Sequence, residues 1–101
     1  MRMKASVLHQ RVGWERDATV VDLGLGGAAI AIAETLVEGD RITFSLVAPN
    51  LWDPLLIAGR IAWVRHATGL DPVHCGIAFE FTHASTLWAL FDLLGTLDYE
   101  V

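Results

Sequence analysis

Arg41-Ile42-Thr43-Phe44-Ser45-Leu46-Val47 alternates strictly between apolar and other side chains, and this period of two recurs along the chain as far as Phe81. Only a pleated strand sends successive side chains to opposite faces, so Ile42, Phe44 and Leu46 predict the buried side of a sheet. Lys4 to Val12 alternates more loosely and reads as an opening strand, followed by a turn at Gly13-Trp14-Glu15-Arg16. Asp17 to Leu23 is the second strand, and Ala28 to Ala33 the third, with Ile30 and Ile32 on one face. Alanine is a poor strand former, and in isolation this third run reads equally as helix; its shortness and the glycines before it favour a strand. Glu38-Gly39-Asp40 marks the turn into the strand at Arg41 to Val47. Leu55 to Arg65 is a long fifth strand, with Ile57, Gly59, Ile61 and Trp63 on one face and Arg60 and Ala62 on the other. Val73 to Phe81 is the sixth, with Val73, Cys75, Ile77, Phe79 and Phe81 inward and His74 and Glu80 outward. The loops between are Ala48 to Pro54, with Trp52 at its tip, and His66 to Pro72.

The period then changes. Leu87, Leu90, Phe91 and Leu94 recur at helical spacing, with Thr82 or Ser85 as N-cap and Gly95 as the stop. This stripe predicts core packing, and the tail Thr96 to Val101 is expected to be frayed or partner-bound. Six strands joined by short turns and closed by one helix predict a mainly β fold, a six-stranded antiparallel barrel with one C-terminal α-helix. Closing the sheet removes most of its edges, which suits so many short apolar strands.

A chain of 101 residues that is 53% hydrophobic supports one core, so residues 1–101 are expected to form a single domain. Charges and prolines interrupt every apolar stretch before the about 20 residues that a membrane-crossing helix requires, which predicts a soluble chain without membrane insertion. The start, Met1-Arg2-Met3-Lys4-Ala5, leads into polar residues without a secretory core, and a cytoplasmic location is expected. Cys75 is the single cysteine, so no internal disulfide forms. A net charge of −5 argues against DNA or RNA as partners, since affinity for phosphate backbones comes from Lys and Arg. The apolar content points to surface covered by a protein partner or by a second copy.

Thr19-Val20-Val21-Asp22-Leu23-Gly24-Leu25-Gly26-Gly27-Ala28-Ala29-Ile30 sets an aspartate and three glycines between two apolar runs. The glycines allow positive φ or close approach, and Asp22 can accept turn amides or an external donor. A hairpin and the lip of a pocket use these residues equally well. With Leu36-Val37-Glu38-Gly39-Asp40, Gly59-Arg60-Ile61-Ala62-Trp63-Val64, Cys75-Gly76-Ile77-Ala78-Phe79-Glu80-Phe81 and a terminal helix, this order of features resembles the PilZ family of bacterial cyclic di-GMP receptor domains.

The resemblance implies a six-stranded barrel that reads its ligand through an RxxxR motif ahead of the first strand and a (D/N)xSxxG motif ending the second. Arginine forks grip phosphates and guanine edges, while the aspartate and serine hold donors beside a glycine that lets the ligand approach. Carried onto this chain, the implied cyclic di-GMP residues are Arg2, Asp22, Gly24 and Gly27. Asp22 and Gly27 match the motif, and Gly24 stands where the family has serine. Arg2 sits near the place of the second arginine; the first would precede Met1, and Arg11 and Arg16 have the wrong spacing. Losing one arginine and one serine weakens binding by roughly two to four decades.

No residues assemble a catalytic constellation: Ser85 and Thr86 have no adjacent base, and Gly24-Leu25-Gly26-Gly27 lacks the dinucleotide spacing. His66, His74 and His83 with Cys75 lack metal-ligand spacing, so neither a metal nor a resident cofactor is expected. Trp14 in a turn, Trp52 in a loop and Trp88 beside the helical stripe are candidate partner surface, with packing onto the barrel as the plainer role. The function expected is a noncatalytic, degenerate PilZ-like regulatory module acting in motility, pilus or cell-surface signalling. It would work through protein–protein interaction without tight cyclic di-GMP binding; the alternative is a cyclic di-GMP receptor with a reduced site.

Overall fold

The computed structural model describes residues 4–47, 53–65 and 72–98. Strands β1 (Lys4–His9), β2 (Glu15–Leu23), β3 (Gly27–Ile32), β4 (Arg41–Val47), β5 (Leu55–Arg65) and β6 (Val73–Phe79) are followed by helix α1 (Ala84–Asp98). All neighbours are antiparallel, and the sheet closes in the order β1-β2-β3-β6-β5-β4, with β4 pairing back onto β1. The expected barrel is therefore present, and the bounds of β4 and β5 coincide with the alternating runs. β1 ends three residues earlier than its apolar pattern, because His9 to Trp14 folds into a turn around Gly13 at φ 87°. Gly39, at φ 91°, turns the chain into β4, and its flank is closed by the Val37 amide donating to Asp40 Oδ2 at 2.9 Å.

The alternating residues meet in the barrel interior. Val7, Ile30, Ile32, Ile42, Phe44, Leu46, Ile57, Ile61, Cys75 and Ile77 are all buried, and Leu36 enters from the β3–β4 loop. β3 is a strand despite its alanines, with Ala28, Ile30 and Ile32 inward, because β2 and β6 pair with it on both sides. Phe44 stacks on Phe79 at 5.8 Å, and Phe79 meets Phe81 edge-on, continuing the core toward the helix.

Three expectations need correction. Trp63 does not share the inner face of β5 with Ile57, Gly59 and Ile61. A bulge between Ile61 and Trp63 turns the indole outward and gives Val64 the inner place. The helix buries Leu90 and Leu93, with Leu94 against the core, while Leu87 and Phe91 are exposed. Two apolar stripes overlap on α1, one residue's rotation apart, and the barrel takes the one that contains Leu93. Gly95 does not end the helix, which runs through it to Asp98; its first turn is closed by Thr86 N–H donating to the His83 carbonyl at 3.2 Å, with Ser85 inside the helix. Glycine inside a helix costs only about 1 kcal/mol relative to alanine, so it need not stop one. The loop readings at 48–52 and 66–71, Arg2, Trp52 and the last three residues lie outside the described residues.

Candidate functional site

Two bulges build a groove on the outer wall of the barrel. In β2, Val20 pairs with Ile30 and Asp22 with Ala29, so Val21 and Asp22 together face one residue of β3. Strict alternation would put Asp22 inside with Val20; the extra residue sends the carboxylate out and returns Leu23 to the core. In β5, Ala62 and Trp63 together face Gly76. Between these bulged strands run β3 and β6, whose outward residues there are small: Gly27, Ala29, Gly76 and Ala78. The result is a shallow groove of about 380 Å³ with Asp22 on one wall, Trp63 and Ala62 on the other, and Gly26 at its end.

Glycine makes the floor possible at two points. A side chain at Gly27 would collide with the Ile77 carbonyl, so the β3–β6 seam closes only around a bare Cα. A side chain at Gly76 would run into the Trp63 indole, which lies directly over it and is 42% exposed. Asp22 Oδ1 accepts the Leu23 amide at 3.0 Å, and its second oxygen has no protein donor among the described residues. A flat ring with N–H donors fits such a site: an indole to stack on, a carboxylate to accept, and a floor with nothing larger than methyl groups in between.

Of the sequence-derived residues, the structure brings Asp22 and Gly27 together on this groove. Gly24 closes the adjoining turn, its amide donating to the Gly27 carbonyl at 2.9 Å, and does not line the groove. None of the three glycines of that turn has positive φ; only Gly27 is fixed by close approach. Trp63 was missed by extrapolating the alternation. The signal lay in the size of its side chain, since an indole and the Val64 side chain compete for one inner position of a small barrel.

Trp14 is half-buried, 5.3 Å from the His9 ring and packed against the core, so it forms part of the structure of the β1–β2 turn. His9 itself is buried; its Nδ1 accepts the Val12 amide at 3.3 Å and its Nε2 meets Asp40 Oδ2 at 3.2 Å, tying that turn to the β3–β4 loop. Trp88 is 63% exposed and meets Phe91, 53% exposed, edge-on at 5.8 Å. Among the described residues no three metal-ligating side chains converge, and no helix is long and apolar enough to cross a membrane.

A closed six-stranded antiparallel barrel with one helix against it and a glycine-floored groove beside the β2–β3 turn defines a class of small domain. The model of the PilZ domain matches residues 1–92, and the chain belongs to that family. Its backbone superposes on the PilZ domain with c-di-GMP of YcgR from Escherichia coli with a TM-score of 0.77 at 14% identity, covering 97% of this chain and 83% of that one. It also resembles the Bacillus subtilis inhibitor of motility MotI/DgrA, with a TM-score of 0.68 at 13% identity, over 98% of this chain and 48% of that one. At these identities the likeness is one of fold, and the chain spans about half of the second protein. No curated protein matches the sequence. The chain thus has the fold of a cyclic di-GMP receptor domain.

Proposed function

We propose that this PilZ chain is a noncatalytic regulatory module that acts by contact with another protein through the outward face of α1. The observation that carries this reading is the placement of Leu87, Trp88 and Phe91 on the solvent side of a helix already seated by Leu90, Leu93 and Leu94. Aromatic side chains exposed together on a rigid element are the composition of an interface centre. With Gly24 in the place of the family's serine, the chain is degenerate in its ligand motif, and its affinity for cyclic di-GMP falls below that of a domain with the full motif. The MotI/DgrA likeness agrees with a role in motility or cell-surface signalling.

The groove favours a second reading, in which the reduced site still receives cyclic di-GMP. Asp22 and Gly27 stand there together, and Trp63 adds a stacking surface that the motif does not include. The two readings share the helix as output and differ in whether the groove is occupied. Recovering the chain with its bound proteins from its own cells separates them. Proteins held by the wild type and by Asp22→Ala but lost with Trp88→Ser/Phe91→Ser support contact that needs no ligand. Loss with Asp22→Ala alone moves the function to the groove, and retention by the helix variant removes α1 as the surface.

A further inference from the structure

The strand pairing draws a straight row of outward residues toward the groove: Arg41 of β4 is opposite Arg60 of β5, Arg60 is opposite Ala78 of β6, and Ala78 is opposite Gly27 of β3. Neighbouring strands are about 4.8 Å apart, so Arg60 stands one strand from the groove floor at Ala78 and two from Gly27. Nothing larger than a methyl group lies between. Trp63 rises from the same strand, one row further along, and Asp22 lies across the groove in the row of Ala29 and Gly76.

Arg41 and Arg60 are like charges directly opposite each other, which is unfavourable in a sheet. Arg41 is offset by Glu80 at 3.5 Å, whereas Arg60 is exposed and has no ion pair among the described residues. In a chain of net charge −5, two arginines that share a single carboxylate beside a groove leave Arg60 as a cationic spot in an acidic surface. Arg65, on the same strand and equally near Trp63, differs: the half-buried His74 lies between it and β3.

We propose that Arg60, backed by Arg41, is the phosphate-binding arm of the groove, so that the site takes an anionic nucleotide with its phosphate on Arg60, its base against Trp63 and its N–H donors toward Asp22. The proposal rests on the reading of the groove as a cyclic di-GMP site, and it names the cation that a dianionic dinucleotide requires. The carboxylate of Asp22 repels phosphate, which fixes the direction in which the ligand lies. Gly24, on the turn next to Gly27, offers no hydroxyl, and Arg60 supplies from the opposite side the charge-assisted hydrogen bonds that such a site needs.

The test is calorimetric titration of the whole chain with cyclic di-GMP at two salt concentrations, with folding of each variant checked by thermal melting. Arg60→Ala should weaken binding about tenfold or more and flatten its salt dependence, and Arg41→Ala should weaken it less. Arg65→Ala and Arg16→Ala, each removing one exposed positive charge elsewhere, should stay within about twofold. Wild-type binding unchanged in Arg60→Ala overturns the proposal and leaves the groove reading intact. Equal losses in Arg60→Ala and Arg65→Ala overturn it too, since a general charge effect then suffices. No saturable heat in the wild type overturns both.

Discussion

β4 and β5 are neighbours in the barrel and teach opposite lessons. β4 keeps its register along its whole length, with Ile42, Phe44 and Leu46 buried and no bulge on either side. β5 follows the same rule from Ile57 to Ile61, then slips by one residue, and the slip is what puts Trp63 on the groove. The alternation that builds the core thus continues through the whole of one strand, and in the other it is interrupted where the surface acquires a site. β2 repeats the device at Val21 and Asp22 on the other wall.

The comparison breaks most sharply if an inward residue of β4 proves dispensable. Phe44 is fully buried and stacked on Phe79, so Phe44→Ala should remove about 3–5 kcal/mol, much of the stability of a domain this size. A fall in the urea midpoint with little change in slope checks it. A loss below about 1 kcal/mol would mean that the interior is not packed as β4 implies.

The groove floor gives the next effect, and two glycines one residue apart bracket it. Gly27→Ala drives a methyl group into the Ile77 carbonyl, a backbone atom that cannot swing aside, and should cost about 1–3 kcal/mol. Gly26→Ala meets nothing within 4 Å and has no positive φ to strain, so it should be neutral or stabilise by up to about 1 kcal/mol through the unfolded chain. Equal costs at both positions would show that the turn, and not the β3–β6 seam, is what needs glycine.

These examples also show what the sequence displays and what it hides. Strands of regular alternation announce themselves because each residue obeys one local rule, and β4 was legible to the residue. The bulges were not, because each is settled by which of two adjacent residues the barrel interior accepts, Leu23 over Asp22 and Val64 over Trp63. In β2 the clue was there: continuing the alternation from Val20 would have buried the Asp22 charge, which costs far more than one unpaired position in the ladder. In β5 the clue was volume, with Trp63 too large for the place that Val64 fills. On α1, Leu90 and Leu94 belong to both apolar stripes, so only contact with the barrel decides that Phe91 faces out. Arg60 was legible as outward, but its row with Ala78 and Gly27 depends on the pairing order β4-β5-β6-β3, which no local pattern encodes.

A smaller effect tests the Trp63 side of the comparison. Gly76→Ala also creates a clash, but with the indole of a side chain that can rotate, so its cost should be lower, about 1 kcal/mol. The signature is positional: the indole N–H resonance of Trp63 should move while that of Trp88, exposed on α1 beside Phe91, stays in place. A Trp63 signal unchanged by that methyl would place the indole off Gly76 and leave the groove without its second wall.

The smallest effect reports on the residue just beyond the bulge. Cys75 pairs with Val64, and burial raises its thiol from 9.0 to about 11. A buried thiol that stays protonated is a poor nucleophile, so the folded chain should resist alkylation at pH 8 and react promptly only once unfolded. The sign for stability follows from the same shift. Well below 9 the thiol is almost wholly protonated in both states and contributes almost no pH dependence. From about 9 toward 11 the unfolded chain ionises first, and stability falls as pH rises. Val64→Ala opens the inner place that the bulge assigns to Val64 and should speed alkylation of the native state, whereas Ala62→Ser, on the outer side, should leave it slow. If Val64→Ala changes nothing, Val64 does not cover the thiol, and the slip in β5 would have to return the chain to the core by some other residue.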